Sequence, residues 1–309
     1  MPQYCVHGLK LESDFEIPEL PPLDDGSVIL DDRSVFMTMA TLPASIDHHA
    51  VSKDGYLIGN DEILIALDNG IRCHIADATA ITLDQGSPQN ASAARLFGLS
   101  AGLGCLLHQR KYLPIHSAAI KSPADCVAFC GNAGDGKLTL AASFAAAGFK
   151  LFSDDRLTLH DTPEHRFLAV PSVPVVHLFA ESAPLSGLGN RHLAVDSYRF
   201  GKHIHFIEDS YAVAPAPLVG LYFTDWLEDV DAAPSISVMN PVKAMMRLRR
   251  DISLAHLVAL LDQEQQFMQW SALMCSSLPI YHLARPRNQL RHDECMDLII
   301  ADITDKFGR

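Results

Sequence analysis

"VAFCGNAGDGKLTLAASFAAAGFKLFSDD", residues 127–155, decides the fold. Its apolar start reads as a buried strand, the run Gly131, Asn132, Ala133, Gly134, Asp135, Gly136 as a tight turn, and the alanine-rich piece as a helix stopped at Gly148. A second strand then ends at Asp154 and Asp155, so the stretch predicts a βαβ-like unit and an α/β fold. Gly131, Gly134 and Gly136 let backbone N–H groups point inward, and the helix that follows aims its positive end at the same place. Lys137 adds a point charge and Thr139 keeps a hydroxyl in the first helical turn, so the loop over 131–139 is expected to cradle the phosphates of a nucleotide. The usual pattern carries Ser or Thr after its lysine; this chain carries Leu138, which cannot coordinate magnesium. Consecutive helical residues point about 100° apart, so Thr139 does not simply replace the missing hydroxyl. Two remedies remain: Asp135, Asp154 or Asp155 holds the metal, or the loop binds nucleotide without efficient chemistry.

Two roles need two acids. A carboxylate at a strand end beside such a loop can accept the proton of an attacking alcohol, while its neighbour orients magnesium or its waters. Adjacent aspartates otherwise do no more than end a strand at the surface; their place after the loop's helix favours the functional reading. His116, in the apolar "LPIHSAAI" before the first strand, has the alternative of a satisfied core histidine, and Lys202, in "RFGKHIHF", that of a solvated turn lysine. His48 with His49, and His203 with His205, lack a third ligand for a metal.

Outward from this centre, residues 1–92 alternate short apolar runs with turn clusters ("SVIL", "SVFMTMA", "GYLIG", "EILIAL", "IRCHIA"), which predicts a β-rich N-terminal region. A helix capped by Asn90 or Ser92 should run to about Arg110. The loop-bearing core is expected over 93–240, with further strands between 166 and 224, and a helical region packed on it over 241–309, interrupted by a short strand at "PIYHLARP". A net charge of -13 argues against nucleic acid and anionic membrane as partners, although Arg247, Arg249 and Arg250 form a local basic patch. Seven cysteines without paired spacing indicate neither zinc ribbon nor disulfide framework, and Cys126 and Cys130 read as buried thiols. With no apolar run of membrane-spanning length, the expectation is a soluble, cytoplasmic protein.

Residues 96–120, 127–159 and "FGKHIHF" at 200–206 together resemble the HPr kinase/phosphorylase-like serine kinases, above all the shorter relatives of peptide biosynthesis, including the lasso peptide kinases. The likeness is clearest over 93–160, and "LPIYHLARPRN" resembles the family's closing strand. It implies a P-loop kinase core of the HPr kinase type with ATP and magnesium as cofactors. It implies Asp154 as general base toward a substrate serine, His116 as the neighbour that places phosphate or base, Asp155 with Asp154 at the metal, and Lys202 near the phosphates. The acceptor implied is a peptide or small protein, here the C-terminal serine of a lasso precursor, and the enzyme a homo-oligomer. Leu138 departs from the family's magnesium-binding serine, and the signature of its carbohydrate-regulating members is missing, so HPr is not assigned as substrate. The rival expectation is a nucleotide-binding, catalytically impaired module that recognises a leader peptide or partner.

Overall fold

Side chains alternate between buried and half-exposed along Leu9–Ser13 and Arg72–Ala76, the period-two pattern of a sheet with one face on a core. In the computed structural model these belong to the first of two large sheets; the structure describes residues 1–309 except 49, 52–54, 123, 133, 165, 180–191, 196–201, 207–210, 288–290 and 308–309, and side chains additionally except at 138, 178–179, 192–195, 202–206 and 307. The first sheet comprises β1 (Gln3–Val6), β2 (Leu9–Ser13), β3 (Asp31–Met39), β4 (Ala50–Val51), β5 (Tyr56–Ile58), β6 (Glu62–Ala66), β7 (Arg72–Ala76) and β8 (Ala80–Asp84), in the order β1-β2-β3-β8-β7-β6-β5-β4. The apolar run "SVIL" at 27–30 lies outside any strand; it turns the chain so that the N–H of Leu30 reaches the Gly8 carbonyl.

The helix expected from Asn90 to Arg110 is three pieces: α1 (Ala91–Phe97), a π-helical segment (Gly98–Gly102) and α2 (Leu103–Gln109). Close packing accounts for the glycines of the π segment. A methyl at Gly98 would lie 2.8 Å from Leu83, and one at Gly102 3.0 Å from the Cys73 sulfur.

The second sheet carries the glycine loop. Its strands are β9 (Ser117–Lys121), β10 (Cys126–Cys130), β11 (Lys150–Ser153), β12 (Thr158–His160), β13 (Leu168–Val170), β17 (Ala216–Leu227), β18 (Ser235–Val238) and β19 (Ile280–Pro286); β14 (Val175–Phe179), β15 (His192–Val195) and β16 (Lys202–Phe206) form a small separate sheet. The large sheet runs β11-β9-β10-β17-β13-β12, with β19 also on β17 and β18 on β19. The two strands of the predicted βαβ-like unit are not neighbours: β9 is inserted between β10 and β11, antiparallel to both. β17 is parallel to β10, and β19 to β17.

Helices cover both faces, so β10 is buried throughout, and Cys126 and Cys130 are buried free thiols. On one face α3 (Lys137–Ala146) and α7 (His292–Phe307) pack over Phe129, Tyr222 and Leu283. The other holds Phe223 and Leu221 under α4 (Pro241–Asp251), α5 (His256–Leu260) and α6 (Glu264–Ser277). α4 starts where Asn240 Oδ1 accepts from the Val242 N–H and Pro241 follows at the first helical position. Its arginines are each neutralised: Arg247 by Asp225 at 2.6 Å, Arg249 by Glu264 at 2.6 Å, Arg250 by Asp251 at 3.1 Å. The expected basic patch is therefore a set of ion pairs.

Candidate functional site

Strand direction alone gathers the chemistry. β10, β11, β17 and β19 all point one way, and β9, running the other, begins with Ser117 opposite Cys130. The loop after β10, Asp154 and Asp155 after β11, Thr224 to Trp226 near the end of β17, Arg285 on β19 and His116 before β9 consequently share one edge. Ligands of open α/β sheets bind at such carboxyl edges.

The loop is folded onto itself. Gly134 (φ +87°) and Gly136 (φ +69°) take left-handed conformations that let the turn close ahead of α3. Lys137 Nζ donates to the carbonyls of Gly131 (2.8 Å) and Asn132 (2.9 Å). Burial pulls its ammonium below the ordinary lysine value, against the opposing charges of Asp251, Asp135 and Asp154. Asp135 Oδ2 accepts the Asn132 N–H at 2.6 Å, so an internal carboxylate already occupies one amide of the turn. Two outer ties hold the turn: the Trp226 indole N–H donates to the Gly134 carbonyl (3.2 Å), and Arg285 donates to the Asp135 carbonyl. Gly131 has no room for a side chain, since a methyl would lie 2.6 Å from Thr224 Oγ1. Thr139 lies half-buried in the first turn of α3. Ala133 and the side chain of Leu138 lie outside the described residues.

The acids are held by different partners. Asp154 Oδ2 accepts the His177 N–H at 2.9 Å and stands 3.2 Å from His177 Nδ1, which ties β14 to the acid. Asp155 faces His116, whose Nδ1 lies 3.0 Å from its carbonyl and 3.3 Å from Oδ1, and its Oδ2 lies 4.0 Å from Arg156. Arg156 is anchored in turn by Ser253 Oγ and by the Ser100 carbonyl of the π segment. Both aspartates border a narrow cavity of about 50 Å³ shared with Arg156, Ser172 and His177. Lys202 opens β16 opposite Phe179, but its side chain lies outside the described residues, as do His49 and the side chains of His203 and His205. Among the described residues no group of three or more His, Cys, Asp or Glu side chains is placed to hold a metal, and no helix is long and apolar enough to cross a membrane.

No family model and no curated protein matches the chain. Among solved structures it is similar to the Hpr(Ser) kinase/phosphatase from Coxiella burnetii, at 10% identity over 63% of this chain and 93% of that one, with a TM-score of 0.33. A likeness that faint says nothing of a shared activity.

Four residues of this edge escaped the sequence reading. Arg285 and Trp226 sit in runs whose only visible feature is strand patterning, and His177 lies in the apolar run "VVHLF". Asp251 lies inside a run that reads simply as helical, yet it is 4% exposed with Oδ2 unpartnered, and its carbonyl accepts the His116 N–H at 2.6 Å. Only the crossing of strands brings these to the loop.

Proposed function

We propose that the protein is an ATP-dependent serine kinase acting on a peptide or small protein. The observation that carries this reading is the sharing of one sheet edge by a lysine-bearing glycine loop, the Asp154–His177 pair and the His116–Asp155 pair. In the proposed reaction the serine hydroxyl attacks the γ-phosphorus of ATP, the bond to the β-phosphate oxygen breaks, ADP leaves, and the hydroxyl proton passes to Asp154. His177 holds that carboxylate on one oxygen and leaves Oδ1 to take the proton. Lys137 and the amides at the start of α3 balance the charge on the transferred group once the lysine leaves the two carbonyls. The narrow cavity beside Asp154 has room for a serine side chain, so the acceptor enters on the β11 flank of the loop.

The residues present do not fit a resident magnesium beside a carboxylate base. Asp155 is committed to His116 and Arg156, and Leu138 stands where a hydroxyl is needed. With Asp154 used as the base and Asp135 tied to the Asn132 N–H inside the loop, no described carboxylate of the site is left uncommitted for the ion. No step here is therefore routed through the ion. A C-terminal serine of a lasso precursor is the acceptor we favour, on the sequence resemblance alone.

The self-closed loop and Leu138 favour a second reading, a nucleotide-binding module that recognises a partner. The deciding experiment incubates the protein with ATP labelled at the γ-phosphate, with and without magnesium, and with serine-containing peptides. Label on peptide serine is expected, slowly and with weak dependence on magnesium. A rate equal to the enzyme-free control, with ATP bound, selects the binding module.

A further inference from the structure

We propose that the cavity where β9 ends and β11 begins is a docking site for acidic residues of the peptide acceptor, a few positions before its serine. The inference rests on the kinase reading above and deepens it by assigning the acceptor's chemistry away from the reacting atoms. The cavity encloses about 440 Å³ and lies at the opposite end of β11 from Asp154. Phe149, Tyr211 and the 73% exposed Val213 give it an apolar floor. Gly148 keeps it open, since a methyl there would meet nothing within 4 Å.

Charge decides the ligand. The register of β11 on β9 sets Lys150 directly opposite Lys121, and both line the cavity. Like charges facing each other across a strand pair are destabilising, and a carboxylate laid between them turns repulsion into attraction. Among the described residues Lys121 Nζ has a single partner, the neutral Ala214 carbonyl at 3.2 Å, and no acid lines the cavity. A chain with a net charge of -13 repels an acidic peptide over most of its surface, so two neighbouring lysines fix where such a peptide settles. A cationic rim above an apolar floor suits an acidic residue followed or preceded by an aromatic or aliphatic one.

The cavity is joined to the catalytic edge. The Tyr211 hydroxyl donates to Ser172 Oγ at 3.3 Å, and Ser172 borders the narrow cavity of Asp154 and Asp155. The four residues of β11 (Lys150–Ser153) lead from the lysine to Asp154, about 13 Å of extended chain. An extended peptide whose serine stands at Asp154 therefore brings a residue about four positions away to Lys150 and Lys121. Where the acceptor serine is C-terminal, that residue lies on its N-terminal side.

The test uses short synthetic peptides that end in serine and carry, about four positions before it, a pair of Asp, Asn or Lys residues beside a phenylalanine. Binding to the full chain is read by fluorescence anisotropy, and phosphorylation as KM and kcat. The Asp peptide is expected to bind about three- to tenfold more tightly than the Asn peptide, with KM lower to match and kcat alike. Lys150→Glu should lose that preference and favour the Lys peptide, a reversal that a misfolded variant cannot show. Equal binding of the Asp and Asn peptides by the parent, or equal weakening of both by Lys150→Glu, overturns the docking site, while phosphorylation of either leaves the kinase reading standing. Charge-selective binding that Lys150→Glu reverses, without phosphorylation of any peptide, upholds the docking site and overturns the kinase reading.

Discussion

Lys137 and Asp135 pull the loop in opposite senses. The lysine would have to turn from two carbonyls to meet a phosphate, whereas Asp135 puts a second negative charge beside it and already holds the Asn132 amide. Lys137→Ala should weaken ATP binding at least about tenfold, or ~1.4 kcal/mol, in a calorimetric titration. Asp135→Asn should strengthen it several-fold, because it removes a like charge beside the phosphates; weaker binding would show that the carboxylate helps to shape the loop. For Asp154→Asn the expectation is unchanged nucleotide affinity with turnover down by roughly 10²–10⁴-fold, read as labelled peptide, since the amide keeps the shape without the basicity. These residues could be picked out beforehand because loop chemistry is local. The ordering of partners could not: nothing near Asp154 in sequence indicates that His177 will bind it, or that Asp155 turns to His116.

Among elements, the π segment shows where pattern reading stops. Its period resembles a helix from Asn90 onward, and the sequence does read as one; the wider turn follows from contacts with β7 and β8. Its Ser100 carbonyl receives Arg156, which steadies the loop bearing Asp155. One turn on, a methyl at Gly104 would lie 2.8 Å from the Arg156 guanidinium and 2.8 Å from Leu254. Gly104→Ala should therefore destabilise the fold by about 1–3 kcal/mol, seen as a lower thermal midpoint, and lower peptide phosphorylation. Strand existence was legible from alternation and turn residues. Strand order was not, because the insertion of β9 between β10 and β11 depends on pairings made across the whole sheet.

At the scale of the molecule, buried histidines join the first sheet and its helices to the second. His7 meets Thr158 and His160, and His108 is held by Gln263 and the Ser253 carbonyl. Burial keeps all three neutral, and that of His7 is pulled down to about 3. Between that value and the ordinary 6.5 the unfolded chain holds the extra proton, so stability is full above the window and falls as pH drops through it. The slope for one fully shifted histidine is about 1.4 kcal/mol per pH unit. The thermal midpoint should thus fall steadily from pH 7 to pH 4, and His7→Asn, which tolerates the left-handed backbone found there, should make the decline shallower. An unchanged slope in that variant would move the acid sensitivity elsewhere.

The tie from Arg285 to the loop also has a meaning in time. Arg285 follows Asp135 by 150 positions, and Trp226 follows Gly134 by 92. At ribosomal speeds of about 5–20 residues per second, the glycine turn waits on the order of ten seconds for its last support to be made. Until then the turn lacks its Arg285 clamp, so residues 131–136 take their final hold only after β19 has been made.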